Sequence, residues 1–347
     1  MRHINFSNMA SLQVEEFSHS LSEISLQELV KEPIITIPQN FIRLDQEPPS
    51  SLPYGSPSPI TTPTIDMTRL VSGEDDGLEL EKLHSTCKEW GLFQLVNHGV
   101  SPSLLEKLKH ELEEFYKLPL EEKMKYKMRP GEVEGYGNTA REAGKLDWAD
   151  RNTLESYLLE LQKLATKLLS LMAKALKIDV TEMIELFDDG MQSVKMTYYP
   201  PCPQPELVMG ITPHSDATLL TILNQVNGVD ALQIRKGGVW FPVSFVPDAF
   251  VVNVGDILEI FSNGIYRSIE HRATANSEKE RISVAFFINP KFEAEVGPSP
   301  SLINPKNPPL FKRVGMEQYV KDFFSRKLNG KTYLQHMRIE NGEGNSA

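Results

Sequence analysis

Cysteine is nearly absent from this chain: Cys87 and Cys202 are the only two in 347 residues. That is too few for a disulfide framework and agrees with a reducing, cytoplasmic compartment. No run approaches the roughly 18 consecutive apolar residues that a membrane helix needs, and Met1 to Leu12 lack the apolar core of a secretory signal, so no membrane role is expected. Basic runs are missing as well. Lys and Arg total 36 against 47 Asp and Glu, a formal charge of −11, and without a Lys/Arg stripe no nucleic-acid partner is expected. Neither G-x-G-x-x-G nor G-x-x-x-x-G-K occurs, which removes support for the nucleotide folds built on those loops. No internal repeat is visible.

What is present is enough to fold. With 40% apolar and 24% charged residues the chain lacks the signature of a disordered protein. Residues 1–46 are polar with one weakly amphipathic stretch (Leu21, Ile24, Leu26, Leu29, Val30), a short docking helix or a loose tail. Glu47 to Pro63 is dense in Pro and Ser and reads as an extended connector. A first strand is expected at Thr64 to Met67 and a buried one at Trp90 to Val96. Leu80, Leu83 and Cys87 share one helical face, and Leu104, Leu108, Leu112 and Phe115 another, after a Ser101-Pro102-Ser103 start. Leu154, Leu158, Leu161, Ala165, Leu168 and Met172 write a long third helix.

From Ser193 the period changes. Val194, Met196 and Tyr198 alternate. Strand-like runs follow at Leu219–Leu223, Ala231–Ile234, Val239–Val246, Phe250–Val254, Ile257–Phe261 and Ile282–Ile288, with turn residues between them. Short strands after a run of helices indicate an α+β fold, mainly β in its core, with flanking helices.

Pro213-His214-Ser215-Asp216 lies in this β-rich half. On a strand, positions i and i+2 face the same way, so His214 and Asp216 can offer a nitrogen and a carboxylate oxygen to one ion. His271, 57 positions later, is far enough along to come from a strand across a barrel. Two His and one carboxylate on one face of an octahedral ion suit Fe(II) activating oxygen. An H-x-D triplet alone also fits a solvated or capped pair, and His271 alone a surface histidine. Arg281-Ile282-Ser283 places a guanidinium fork and a hydroxyl on one strand face, suited to a dicarboxylate, or simply to a barrel surface.

Taken together, these segments resemble the plant iron(II)- and 2-oxoglutarate-dependent dioxygenases, in the branch that hydroxylates or O-demethylates alkaloids and phenolics. The likeness is carried by Tyr198 to Leu207 (YYPPCPQPEL), Thr212 to Asp216 (TPHSD), Asn253 to Ile260 (NVGDILEI), Asn263 to Arg272 (NGIYRSIEHR) and Arg281 to Ser283 (RIS). Trp90 to Val100, Gly131 to Gly137 and Leu146 to Asp150 extend it. The resemblance implies a double-stranded β-helix, or jelly roll, with Fe(II) on His214, Asp216 and His271. It implies 2-oxoglutarate on Arg281, Ser283 and Tyr199, O2 as oxidant and ascorbate as reductant. Thr197 stands where the family often has Asn. His98 reads as structural, and Glu206, Asp256 and Glu259 as turn and strand-edge carboxylates. Phe286, Phe287 and Ile288 are candidates for one apolar face of a substrate pocket, with core packing the alternative.

The expected layout is an N-terminal arm and connector (1–59), a helical and strand region (60–190), the catalytic β-helix (191–339) and a polar tail (340–347). A monomer acting on a small-molecule substrate is expected. One departure stands out. After Asp150 relatives continue through an apolar strand and a Pro-rich loop, whereas here Arg151 already opens the long helix, and Gly137 to Gly144 is short and polar. Such a gap in the pocket wall leaves a second reading open, a metal- and 2-oxoglutarate-binding relic with little turnover.

Overall fold

The computed structural model describes residues 26–31, 36–45, 47, 61–72, 77–127, 136, 151–187, 189–325 and 330–339. The front half comprises α1 (Leu26–Leu29), β1 (Thr64–Asp66), α2 (Met67–Ser72), α3 (Leu78–Glu89), β2 (Leu92–Val96), α4 (Pro102–Lys117), α5 (Leu120–Met124), α6 (Arg151–Leu176) and α7 (Val180–Phe187). The β-rich half begins with β3 (Gln192–Tyr199), β4 (Ile211–His214), β5 (Leu220–Gln225), β6 (Leu232–Lys236), β7 (Val239–Pro242) and β8 (Phe250–Val254). It continues through α8 (Asp256–Phe261), β9 (His271–Ala273), β10 (Arg281–Ile288), β11 (Glu295–Val296), β12 (Val314–Gly315), α9 (Met316–Phe324) and α10 (Thr332–His336).

Among the described residues two main sheets form. One runs β1-β2-β8-β5-β10-β3 and the other β4-β9-β6-β7. Only β1 pairs in parallel with its neighbour, β2; the other pairings in these two sheets are antiparallel. Each strand of the larger sheet therefore has two unlike faces. On β10, Ile282, Val284, Phe286 and Ile288 join the main apolar core with Leu161, Leu168 and Met172 of α6. The opposite face looks toward the smaller sheet. Leu92, Leu223 and Val251 from one sheet and Leu232 and Ile234 from the other close a second cluster there, with Ala285 against it.

The long helix follows its expected stripe, with Leu161, Ala165, Leu168 and Met172 fully buried. Ile257–Phe261, expected as a strand, is instead part of α8, whose six residues are all buried. An apolar run of five has no period that separates a buried strand from a buried helical turn. The expected strand over Val239–Val246 ends at Pro242. Residues 137–150, where the chain was read as shortened, lie outside the described residues.

Gly255 joins β8 to α8 at the tightest point in this half. A Cβ there would sit 1.9 Å from the Thr218 carbonyl oxygen. The same turn holds the loop after β4, since the amides of Asp256 and Ile257 donate to the Asp216 and Thr218 carbonyls at 2.7 and 3.1 Å. Gly255→Ala is therefore expected to lower stability by about 1–3 kcal/mol, the usual cost of overpacking. Denaturant unfolding measures it, and an unchanged midpoint would contradict the contact.

Candidate active site

β4 stops at His214, and Ser215 and Asp216 continue without regular structure. The strand spacing expected for His214 and Asp216 therefore does not apply. Asp216 reaches the site from a loop. Its main chain is held by Asp256, and its Oδ2 accepts hydrogen bonds from Thr221 Oγ1 at 2.8 Å and Asn253 Nδ2 at 3.2 Å. His271 also arrives differently than expected: it opens β9 directly opposite His214 on the adjacent strand, not across the barrel. The two rings lie 4.3 Å apart between centroids.

Each imidazole has its Nδ1 against a backbone carbonyl, Thr212 O at 2.8 Å for His214 and Ile269 O at 3.1 Å for His271. A carbonyl only accepts, so both rings carry their proton on Nδ1 and turn a lone pair on Nε2 toward the centre. Asp216 Oδ1 stands 3.7 Å from His214 Nε2 and 3.6 Å from His271 Nε2, too far for hydrogen bonds. Burial, reinforced by His271 and opposed by Asp216, pushes His214 down to about 4, so it is neutral near pH 7. Burial works against ionisation of Asp216, but the two imidazoles, Thr221 and Asn253 outweigh it and hold the group below its ordinary value.

Three acceptors aimed at one point repel one another unless a cation lies between them. Their ligand atoms fall within 4.8 Å of one another, and no other such group of His, Cys, Asp and Glu occurs among the described residues. The separations from Asp216 can be bridged by one ion with bonds of about 2 Å. Two imidazoles and one carboxylate are the donor set of non-haem Fe(II) sites. The residues fit the group.

A second charged feature lies along β10 and β3. Arg281 is 3% exposed, and its guanidinium lies 5.0 Å from the Tyr199 ring centroid. Nε and Nη2 donate to Gln225 Oε1 at 3.1 and 2.7 Å, and Nη1 to Ser283 Oγ at 3.2 Å. Register makes this cluster: Arg281 faces Tyr199, while Ser283 lies between Thr197 and Gln225. No carboxylate among the described residues forms an ion pair with Arg281. Asp230 acts on this guanidinium only through its field, so a buried Arg281 without an ion-pair partner has the chemistry to take an anion.

The three apolar candidates divide. Phe286 and Ile288, at 1% and 2% exposure, lie in the core beneath α6, so they do not line a pocket on the Arg281 side. Strand alternation is the reason. Phe287 alone shares the face of Arg281 and Ser283, and its ladder partner Thr221 holds Asp216. His98 is held by Asp248 O at 3.0 Å and the Val100 amide at 3.1 Å, and it stacks on Phe250. Asp256 and Glu259 occupy neither turns nor strand edges: both are buried on α8. Glu259 pairs with Lys331 at 2.8 Å and Arg338 at 3.1 Å, while burial raises Asp256 to about 7. Sequence reasoning did not single out Thr221, Gln225 or Asn253 for the site. For Thr221 and Asn253 the signal was a polar residue inside an apolar strand run, whereas Gln225 ends β5 beyond such a run and carried none.

Comparison with known proteins gives the same answer as the geometry. The 2OG-Fe(II) oxygenase superfamily matches residues 190–290, and the N-terminal region of non-haem dioxygenases in morphine synthesis matches 62–169. Oxoglutarate-dependent flavonoid 7-O-demethylase 1 of Ocimum basilicum is 45% identical over 93% of this chain and 92% of that protein. The chain belongs to the 2OG-Fe(II) oxygenase superfamily. Codeine O-demethylase of Papaver somniferum is 44% identical over 93% of this chain and 98% of its own length, and Protein SRG1 of Arabidopsis thaliana 47% over 91% and 96%. The crystal structure of JOX2 in complex with 2OG, Fe and JA superposes with a TM-score of 0.79 at 30% identity, covering 91% of this chain and 98% of that one.

This oxygenase is thus a 2-oxoglutarate-dependent dioxygenase with a jelly-roll core, using Fe(II), 2-oxoglutarate and O2 on a small molecule. Nothing in the site favours the relic reading. Among the described residues no helix is long and apolar enough to cross a membrane.

Proposed function

We propose that this oxygenase removes the methyl group from, or hydroxylates, a methoxylated plant aromatic, acting as a cytosolic monomer. The observation that carries the reading is the convergence of His214, Asp216 and His271 on one point, together with a buried Arg281 guanidinium that has no ion-pair partner among the described residues and lies on the face of the larger sheet that looks toward the smaller one. The relatives named flavonoid and codeine O-demethylases support the substrate class.

Iron held by His214, Asp216 and His271 supplies oxygen activation, coupled to decarboxylation of 2-oxoglutarate to succinate and CO2, with one oxygen atom delivered to a substrate C–H bond. The protein's own residues do the placing. Thr212 and Ile269 fix the tautomers, and Thr221 and Asn253 leave only Oδ1 of Asp216 free. Arg281 and Ser283 take the far carboxylate of 2-oxoglutarate, with Tyr199 beside it, and Phe287 borders the substrate. Hydroxylation of a methoxy carbon gives a hemiacetal, which breaks into a phenol and formaldehyde. No general acid or nucleophile is required of the chain.

The reading includes a chain shorter than that of a relative, with the shortfall expected from the sequence near Asp150, outside the described residues. The alignment with codeine O-demethylase runs over 353 positions but takes up 93% of the 347 residues, so about 30 positions have no counterpart here.

The test is incubation with Fe(II), ascorbate, 2-oxoglutarate and a panel of methoxylated flavonoids and phenolics. Succinate release stimulated by substrate, with formaldehyde in step, is the expected result. If no member of a wide panel stimulates 2-oxoglutarate consumption, the reading fails.

A further inference from the structure

β3 turns Ser193, Lys195, Thr197 and Tyr199 to the face opposite the helices, since Val194, Met196 and Tyr198 pack against the main core. In the ladder with β10 these residues stand opposite Phe287, Ala285, Ser283 and Arg281. One end of this face thus holds the proposed carboxylate receptor at Arg281. At the other, Phe287 adjoins Thr221, which grips Asp216. Lys195 lies between them, opposite the small side chain of Ala285, where a longer one would fill the space.

The Lys195 ammonium has no hydrogen-bond or ion-pair partner among the described residues, and the side chain is half-buried. Burial lowers its pKa and the field of Asp216 draws it back up. The register places it on the strand face that runs from Arg281 to Phe287, whose ladder partner Thr221 holds Asp216. Among the described residues Asp216 is the one carboxylate that draws its pKa up, and a metal held by Asp216 would share that charge. A donor of this kind facing the reaction chamber needs an acceptor, and it repels a second cation.

We propose that Lys195 anchors an acidic oxygen of the substrate, a carboxylate or ionisable phenol, and so selects acidic methoxyaromatics over protonated amines. This deepens the proposed demethylation and rests on it. The ammonium would hold the far end of the ring system while the methoxy end points at the site of Asp216. A charge-assisted hydrogen bond of this type is worth about tenfold or more in affinity.

The test uses two probes of similar size, 4-methoxycinnamate and N,N-dimethyl-4-methoxyphenethylamine. Binding to full-length protein loaded with Mn(II) and 2-oxoglutarate, which is inert, is read by calorimetry. The wild type is expected to bind the cinnamate at least about tenfold more tightly than the amine. Lys195→Met should bring the two within about threefold by weakening the cinnamate alone, Lys195→Arg should keep the preference, and Lys195→Glu should reverse it. Unchanged 2-oxoglutarate affinity in each variant shows the site intact. A wild type without preference, including one that binds neither probe, overturns the inference, as does Lys195→Met with its preference unaltered. Equal kcat/KM for both probes overturns the lysine anchor and leaves demethylation standing. Cinnamate bound through Lys195 without formaldehyde release does the reverse.

Discussion

Asp216→Ala is expected to lose Fe(II) affinity by more than about a hundredfold, the upper range that changes in outer-shell partners reach, and to release no succinate above background. The carboxylate is the only anionic ligand in the cluster, and its Oδ1 is the atom that faces both imidazoles. Without it two neutral nitrogens remain, too few to compete with water for a divalent ion. Thr221→Val separates position from ligation. It leaves all three ligands in place but frees Oδ2 from its 2.8 Å hydrogen bond, so metal affinity should fall by about 10- to 100-fold while the maximal rate at saturating Fe(II) falls less. Thermal shift with Mn(II) reads both effects: the wild type gains stability with metal in excess, Thr221→Val gains less, and Asp216→Ala gains nothing. Full metal stabilisation of Asp216→Ala would show that the ion binds elsewhere.

Replacing Arg281 by Met is expected to raise the KM for 2-oxoglutarate on the order of a hundredfold. Truncating one partner of a buried, hydrogen-bonded charge pair costs about 2–5 kcal/mol, and each 1.4 kcal/mol is a factor of ten. Arg281→Lys should recover only part of this, because a single ammonium cannot reproduce the fork that Gln225 and Ser283 orient at 2.7–3.2 Å. Ser283→Ala removes one hydroxyl and should cost about 0.5–1.5 kcal/mol, a few-fold in KM. Metal affinity should hold in all three, since none of these side chains touches His214, Asp216 or His271. The measurement is succinate formation against 2-oxoglutarate concentration at saturating Fe(II). A KM that does not move in Arg281→Met would place the cosubstrate elsewhere.

Much of the fold was legible because its elements have clear periods. The stripe from Leu154 to Met172 could only be a helix, and the alternation of Val194, Met196 and Tyr198 along β3 could only be strand. The run at Ile257–Phe261 was not, since uniform burial erases the period that distinguishes the two states. At the site, the residue types were legible and the routes were not. Asp216 was expected on a strand beside His214, yet it arrives from a loop fastened by Thr221, Asn253 and the Asp256 amide.

By itself the sequence picked out the residue types: two histidines and a carboxylate suited to a metal, an Arg and a Ser suited to a carboxylate, no basic stripe and no nucleotide loop. Local spacing and side-chain chemistry are enough for that, because ligand type does not depend on the path by which a ligand arrives. Tertiary structure alone decided which face of each strand meets the metal. It sent Phe286 and Ile288 into the core under α6 and left Phe287 and Lys195 on the opposite face with Arg281. Alternation divides a strand into two faces but does not say which is inside. That is settled by what packs against each side, here the long helix on one and the opposing sheet on the other.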